Sequence, residues 1–209
     1  MKFIDKWKLI LNSYSSVMKE ISMYGSSQVI IQGSSFLAIT MVSRYLGPTN
    51  LGLYSFAQSY MSTSLVIIGG FDFFYSWQLA KSTDRHNVVK NYLLQKLSVM
   101  TIILLPAIIF AYISFPKDVF YLSLATFIPI IFYPFTAFWT YAQIDKRAKL
   151  VSVAGSTAAI TSLIIKAVLV YIHAPLIAFA FMAGFDLIIG SLLVAIVFLS
   201  TKYWRSLLT

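Results

Sequence analysis

The sequence predicts an all-α integral membrane protein, with six transmembrane helices preceded by an amphipathic helix. Hydrophobic residues make up 59% of the 209 residues and charged residues only 11%, against roughly 45–50% and 25% in soluble proteins. The second observation is that the runs 21–43 and 45–71 contain no charged residue. Each is long enough to cross a bilayer, which takes about 20 apolar residues.

The charge and the cysteine count narrow the classes of function. A net charge of +9 would suggest nucleic acid as a partner of a soluble protein. Here the charges cluster in loops, where they report topology, so we expect no nucleic-acid partner. The chain has no cysteine, which excludes disulfides, thiolate metal sites and cysteine nucleophiles.

The first two spans meet in a tight hairpin, around which the rest of the chain is organised. Gly47, Pro48, Asn50 and Gly52 separate the two apolar runs, and all four are turn-forming residues. Because glycine and proline end helices, we expect the first helix to end near Leu46.

The same residues carry a family resemblance. The strings 44–48 (RYLGP) and 51–54 (LGLY) resemble the first hairpin of the polysaccharide-biosynthesis flippases, which move lipid-linked oligosaccharides. These belong to the multidrug/oligosaccharidyl-lipid/polysaccharide exporter superfamily. The strings 69–72 (GGFD) and 78–81 (QLAK) resemble the end of that family's second helix, and residues 150–193 are similar in texture to its helices five and six.

The resemblance implies one lobe of a flippase-like bundle. Family members have two lobes, and this chain has room for the N-terminal one only. The implied function is flipping of undecaprenyl-diphosphate-linked oligosaccharide across the bacterial inner membrane for O-antigen, capsule or exopolysaccharide biosynthesis. The implied partners are membrane lipid, that substrate, and a second lobe from the same gene or a homodimer. We therefore expect the chain to be a truncated product, a fragment or half of a dimer.

The predicted organisation has three parts. Residues 1–20 form a cytoplasmic amphipathic helix, because their apolar residues recur at helical spacing among lysines. Residues 21–201 form the transmembrane bundle, and residues 202–209 form a cytoplasmic tail. The six spans are expected at about 22–46, 51–79, 92–115, 119–143, 150–172 and 175–200.

Basic residues predict the orientation. One side carries Lys2, Lys6, Lys8, Lys19, Lys81, Arg85, Lys90, Lys146, Arg147, Lys149, Lys202 and Arg205. The other side carries only Arg44 and Lys117. Positive loops stay in the cytoplasm, so both termini are expected on the cytoplasmic side. The membrane that the resemblance implies is the bacterial inner membrane.

Polar side chains inside the first two spans are the first site candidates. Gln28 and Gln32 lie on a polar stripe of the first helix, and Gln58 lies on a second polar face. An amide that faces lipid leaves hydrogen-bonding groups unpaired. These glutamines are therefore expected to line a cavity or to bond to other helices.

Charged residues supply the remaining candidates. Asp72 is expected near the membrane surface opposite the hairpin, paired with Lys81, Arg85 or Lys96, although Lys96 is also placed to snorkel to the headgroups.

Lys166 and Asp186 interrupt apolar spans, at depths of about 10 Å and 16 Å. We expect them to approach each other, either as a neutralising pair or as a substrate site. Lys166 or Arg44 could attract a diphosphate.

The sequence carries no catalytic constellation. It has no phosphate-cradling glycine loop, no metal-ligand cluster and no nucleophile–base signature, so no enzyme, metal site or cofactor is expected. Two alternatives to the flippase remain. One is a lobe of a cation-coupled multidrug exporter, with Asp72 or Asp186 as the coupling carboxylate. The other is a non-transporting membrane scaffold or assembly protein.

Overall fold

The structure is a computed structural model, which describes residues 2–82, 85–145 and 147–200. Every element in this part of the chain is helical. We number the helices α1 (2–46), α2 (48–81), α3 (Arg85–Ser114), α4 (Lys117–Phe127), α5 (Thr136–Ile144), α6 (Ala148–Tyr171), α7 (Leu176–Phe181) and α8 (Phe185–Ser200). A 3₁₀ segment, Ile128–Phe135, joins α4 to α5. The predicted tail 202–209 lies outside the described residues.

Gly47 separates α1 from α2. Its φ of 68° and ψ of 175° interrupt an otherwise continuous helix, Lys2–Lys81. A positive φ suits glycine, which has no Cβ to clash, and Pro48 has the φ that starts a helix. The chain then folds back, because Ile31 of α1 and Met61 of α2 line one cavity. The predicted hairpin is therefore present.

We use two names for the ends of the bundle. The hairpin end carries Gly47 and the turns at 115–116 and 172–175. The loop end carries the end of α2, the start of α3, the end of α5 and the start of α6. The connector expected at 80–91 is shorter than predicted, because α2 continues to Lys81 and α3 already begins at Arg85.

The fourth predicted span is not a uniform α-helix. Pro129 and Pro134 fall inside the eight-residue 3₁₀ segment. Proline lacks the N–H that an α-helix needs and clashes with the preceding turn. A run of eight is long for a 3₁₀ helix. The segment therefore changes the height and the direction of the polar side chains that follow it, relative to a continuous α-helix.

The sixth predicted span, 175–200, consists of two helices. α7 ends at Phe181, and Gly184 has a φ of 76° before α8 begins. Two backbone hydrogen bonds between residues three apart span this break. The Ala183 N–H donates to the Ala180 carbonyl at 3.0 Å, and the Phe185 N–H donates to the Met182 carbonyl at 3.2 Å. A short apolar span can be interrupted this way where the irregular backbone lines a cavity.

A cluster of buried side chains closes the hairpin end. Val42, Tyr54 and Phe179 are buried there. The Tyr45 hydroxyl donates a hydrogen bond of 3.0 Å to the Ala174 carbonyl. The α1–α2 turn is therefore fastened to the α6–α7 turn.

The outer surface is apolar. Val29, Val66, Ile102 and Ile113 are each at least 70% exposed, which no soluble protein of this size tolerates over all its faces. Four described helical stretches are long and apolar enough to cross a membrane: Ile21–Lys81, Asn87–Ser114, Lys117–Ile144 and Ala148–Tyr171. The first contains 61 residues and is folded at Gly47, so it is long enough to cross twice.

Candidate functional site

A cavity of about 530 Å³ lies among α1, α2, the 3₁₀ segment, α5, α6 and α8. Along α2 it extends from Gln58 to Asp72, about 21 Å at 1.5 Å per residue. Its volume is typical of a binding pocket for small molecules. Its lining residues are Ile31, Gln58, Met61, Asp72, Tyr133, Thr136, Trp139, Thr140, Gly155, Ala159, Gly184, Gly190 and Ser191.

A second cavity of about 160 Å³ continues the first toward the hairpin end. Ser35 of α1, Tyr54 of α2 and Lys166 of α6 line it. Gln58 and Gly184 line both cavities, so the two are neighbouring parts of one cleft. We call them together the central cleft.

Asp72 is the centre of a polar network at the wall of this cleft. The Tyr92 hydroxyl and the Lys96 ammonium both donate to Asp72 Oδ1, the ammonium at 2.6 Å. The Tyr133 hydroxyl donates to Oδ2 at 3.0 Å. Lys96 also donates to Thr136 Oγ1 at 2.5 Å. One carboxylate thus ties together α2, α3, the 3₁₀ segment and α5.

The two charges differ in their access to the cleft. The side chain of Lys96 is 1% exposed and that of Asp72 is 27% exposed, and Asp72 lines the cleft. The carboxylate therefore meets the cleft, and the ammonium lies behind it. A molecule in the cleft can reach the negative charge before the positive one.

The predicted pairing of Asp72 is confirmed, and its partner in the described part of the chain is Lys96. The alternative placement of Lys96, snorkelling to the headgroups, is wrong. Lys96 lies on the inner face of α3, where the carboxylate and the face of Tyr133, 4.1 Å from the ammonium, surround it. These contacts offset the desolvation that would otherwise drive the side chain outward.

The aromatic side chains hold the network rigidly. Tyr92 stacks on Tyr75 with ring centroids 3.6 Å apart and planes 3° from parallel, and both rings are buried in the core at the loop end. A face-to-face contact this close restricts the rotation of both rings. The donor to Asp72 is therefore fixed in direction.

Trp139 forms another part of the wall. Its ring lies between α6 and α8. A Cβ built on Gly155 would be 3.1 Å from Trp139 Cη2, and one built on Gly190 would be 3.1 Å from Cζ3. Glycine at both positions leaves room for the indole, so the ring is packed inside the bundle beside the cleft.

Sequence reasoning missed Tyr133, Thr136 and Thr140. All three line the cleft and recur at i, i+3 and i+7. This is the same polar spacing that marked the glutamines of the first span, and applied to the fourth span it would have found them.

The remaining candidates lie in different places. Gln58 and Lys166 line the central cleft, and Lys166 is half-buried. Gln28 is half-buried and Gln32 exposed, and Arg44 is exposed beside the hairpin turn. None of these last three lines the cleft.

The predicted approach of Lys166 to Asp186 stays a prediction. The backbone of Asp186 belongs to α8, but its side chain lies outside the described residues. Within the described part of the chain, Lys166 has no carboxylate within 4.0 Å.

The described residues hold no group of three His, Cys, Asp or Glu side chains placed to bind a metal ion.

The fold and the site together define a class of protein. It is a helical membrane protein with a polar cleft inside its apolar bundle.

Comparison with known families gives the particular family. The profile of the family described as "Polysaccharide biosynthesis protein" matches residues 17–208, and the chain belongs to this family. It is a flippase-superfamily protein of polysaccharide biosynthesis, from a family that is generally non-enzymatic. No curated protein and no solved structure matches the chain.

Proposed function

We propose that this chain is the N-terminal lobe of a flippase for undecaprenyl-diphosphate-linked oligosaccharide, acting with a second lobe in the bacterial inner membrane. One observation carries the proposal. The central cleft lies at membrane depth and has opposite charges at separate places, Asp72 near the loop end and Lys166 near the hairpin end. Polar groups at this depth need water, protein or a ligand as partners.

The chemistry of the cleft suits the two halves of that substrate. Lys166 offers an ammonium to a diphosphate, as charge-assisted hydrogen bonds require. Gln58, Thr140 and the exposed part of Asp72 offer donors and acceptors to sugar hydroxyls. The apolar surface of the bundle leaves the polyprenyl chain in the lipid. The orientation expected from the basic loops, with both termini in the cytoplasm, puts Lys166 nearer the periplasm.

Two alternatives remain distinguishable. A cation-coupled exporter would use Asp72 or Asp186 as its coupling carboxylate. Asp72 lies in the cleft but has Lys96 as its counter-ion, and the side chain of Asp186 lies outside the described residues. A scaffold would need no cleft at Lys166, whereas Lys166 lines one. The flippase therefore has the better support.

Binding in nanodiscs tests the proposal. The chain is incubated with an undecaprenyl-diphosphate-linked disaccharide, and retained ligand is counted by native mass spectrometry. We expect retention by the wild type and a loss of about tenfold or more in Lys166→Gln, because a hydrogen bond to a charged group is worth roughly 1.5–3 kcal/mol. Lys117→Gln, which removes an exposed lysine at the hairpin end, is the matched control.

Three outcomes would contradict the flippase. Retention of an organic cation instead of the lipid-linked sugar would favour the exporter. A cysteine at position 166 that no aqueous reagent reaches would favour the scaffold. Equal losses in Lys166→Gln and Lys117→Gln would remove the role of Lys166.

The charge swap Lys166→Asp with Asp186→Lys separates the two roles of the predicted pair. In a full-length transporter context, restored folding together with restored transport indicates a structural pair. Restored folding without transport indicates that Lys166 binds the substrate.

A further inference from the structure

A groove of about 330 Å³ runs between α1 and α6 at the loop end. It is separate from the central cleft. Ile31 and Gly155 both line the cleft. They form the seam between the two helices, because Ile31 Cδ1 would lie 3.0 Å from a Cβ built on Gly155. The groove lies beside this seam, lined by Met23, Ser26, Ser27, Ile30, Ser152, Val153, Ser156, Thr157 and Ile160.

Hydroxyl groups are concentrated in this groove. Five of its nine lining residues are serine or threonine. Ser26 and Ser27 donate to backbone carbonyls of their own helix. Ser152 is different, because it is 6% exposed and its Oγ has no hydrogen-bond partner. The hydroxyl of Ser152 is therefore available to a polar group that enters the groove.

A lysine precedes the groove on its α6 face. Lys149, Val153, Ser156 and Ile160 recur at i, i+4, i+7 and i+11, so they share one face of α6. Lys149 is exposed. The groove face therefore begins with an ammonium, continues with hydroxyls and ends with apolar side chains.

The depth of these groups matches a phospholipid. α6 begins at Ala148, so Ser152 lies about 6 Å and Ile160 about 18 Å along the helix from its start. These are the depths of a headgroup with its glycerol and of an acyl chain in one leaflet, whose hydrocarbon is about 15 Å thick. The order of chemistry along the groove is the order along a lipid.

We propose that this groove binds one anionic phospholipid from the leaflet on the side of residues 145–149. The phosphate lies against Lys149, the glycerol region accepts a hydrogen bond from Ser152, and an acyl chain packs on Val153 and Ile160. Basic pockets between membrane helices bind anionic headgroups in this way. The site does not depend on what the central cleft carries.

Lipid retention in nanodiscs tests the site. The whole chain is assembled with equal amounts of phosphatidylglycerol and phosphatidylcholine, released, and the co-purifying lipid is counted by native mass spectrometry. We expect one retained phosphatidylglycerol per chain. Lys149→Gln and Ser152→Ala should each lower its retention about fivefold, the usual size for one interfacial charge or one hydrogen bond. Lys117→Gln, an exposed lysine at the other end, should leave it unchanged.

Other results overturn the proposal. Equal retention of the two lipids by the wild type would mean that the groove does not select charge. Unchanged retention in Lys149→Gln would place the lipid elsewhere, and this variant is at the surface, so folding does not obscure it. A dimer in which cross-links from position 153 reach a second copy, and no lipid, would make the groove a protein interface.

Discussion

Replacing Asp72 by asparagine should destabilise the protein more than replacing Lys96 by methionine. The asymmetry comes from burial. Without the carboxylate, the ammonium of Lys96 remains 1% exposed, with Thr136 as its other hydrogen-bond partner. Without the ammonium, the carboxylate keeps the hydroxyls of Tyr92 and Tyr133 and still meets the cleft.

The magnitudes follow from these environments. Removing one partner of a buried ion pair costs roughly 3–5 kcal/mol when the other charge is left uncompensated, which describes Asp72→Asn. Removing one hydrogen-bond partner of a polar group that keeps others lowers the free energy of unfolding by roughly 1–3 kcal/mol. This is the case of Lys96→Met. The double variant removes both charges, and neutral replacement of a buried pair is often nearly neutral for stability.

Equilibrium unfolding in mixed micelles, followed by tryptophan fluorescence, measures all three free energies of unfolding. The expected order of stability is wild type and double variant, then Lys96→Met, then Asp72→Asn. A larger loss in Lys96→Met, or losses that simply add in the double variant, would refute the described burial and pairing.

Three further predictions use other parts of the chain. Single cysteines at Asn50 and Asn87 should react with an impermeant thiol reagent in intact cells at position 50 only; labelling at 87 alone would invert the topology. A spin label at Gln28 should be accessible to water or shielded by protein, and strong oxygen accessibility without water accessibility would contradict this. Gly155→Ala should be less stable than Gly33→Ala in the same unfolding assay, because the new Cβ would lie 3.0 Å from Ile31 and 3.1 Å from Trp139. Gly33→Ala, where nothing lies within 4 Å, should cost nothing, and equal losses would show that packing is not the cause.

Much of the fold follows from local signals in the sequence. Glycine or proline marks four boundaries of the helices. These are the hairpin at Gly47, the helix starts at Lys117 and Leu176, and the end of α3 at Ser114. Such residues act on their immediate neighbours, so their effect is readable without tertiary structure. The sequence also limits the partner of Asp72 to three basic residues, because few lysines and arginines lie at its expected depth.

The sequence does not decide which of those three residues pairs with Asp72, because that depends on tertiary packing. Whether Lys96 snorkels or pairs depends on how α3 is rotated against α2, and periodicity along one helix does not give that rotation. The position of Trp139 likewise depends on two glycines in two other helices. The break after Phe181 is marked by a single glycine, Gly184, and a lone glycine is often tolerated within a helix.

The eight residues Ile128–Phe135 form a 3₁₀ helix, and its winding sets both the height and the rotation of the chain that follows. A 3₁₀ helix rises about 0.5 Å more per residue than an α-helix and turns about 20° more. Rewinding this segment as α-helix would shorten it by about 4 Å and rotate everything after it by about 160°. That rotation would carry Thr136 away from the ammonium of Lys96, which it contacts now. The hydrogen bond from Lys96 to Thr136 therefore holds the winding that Pro129 and Pro134 impose on the fourth span, and with it the face that Trp139 and Thr140 turn toward the cleft.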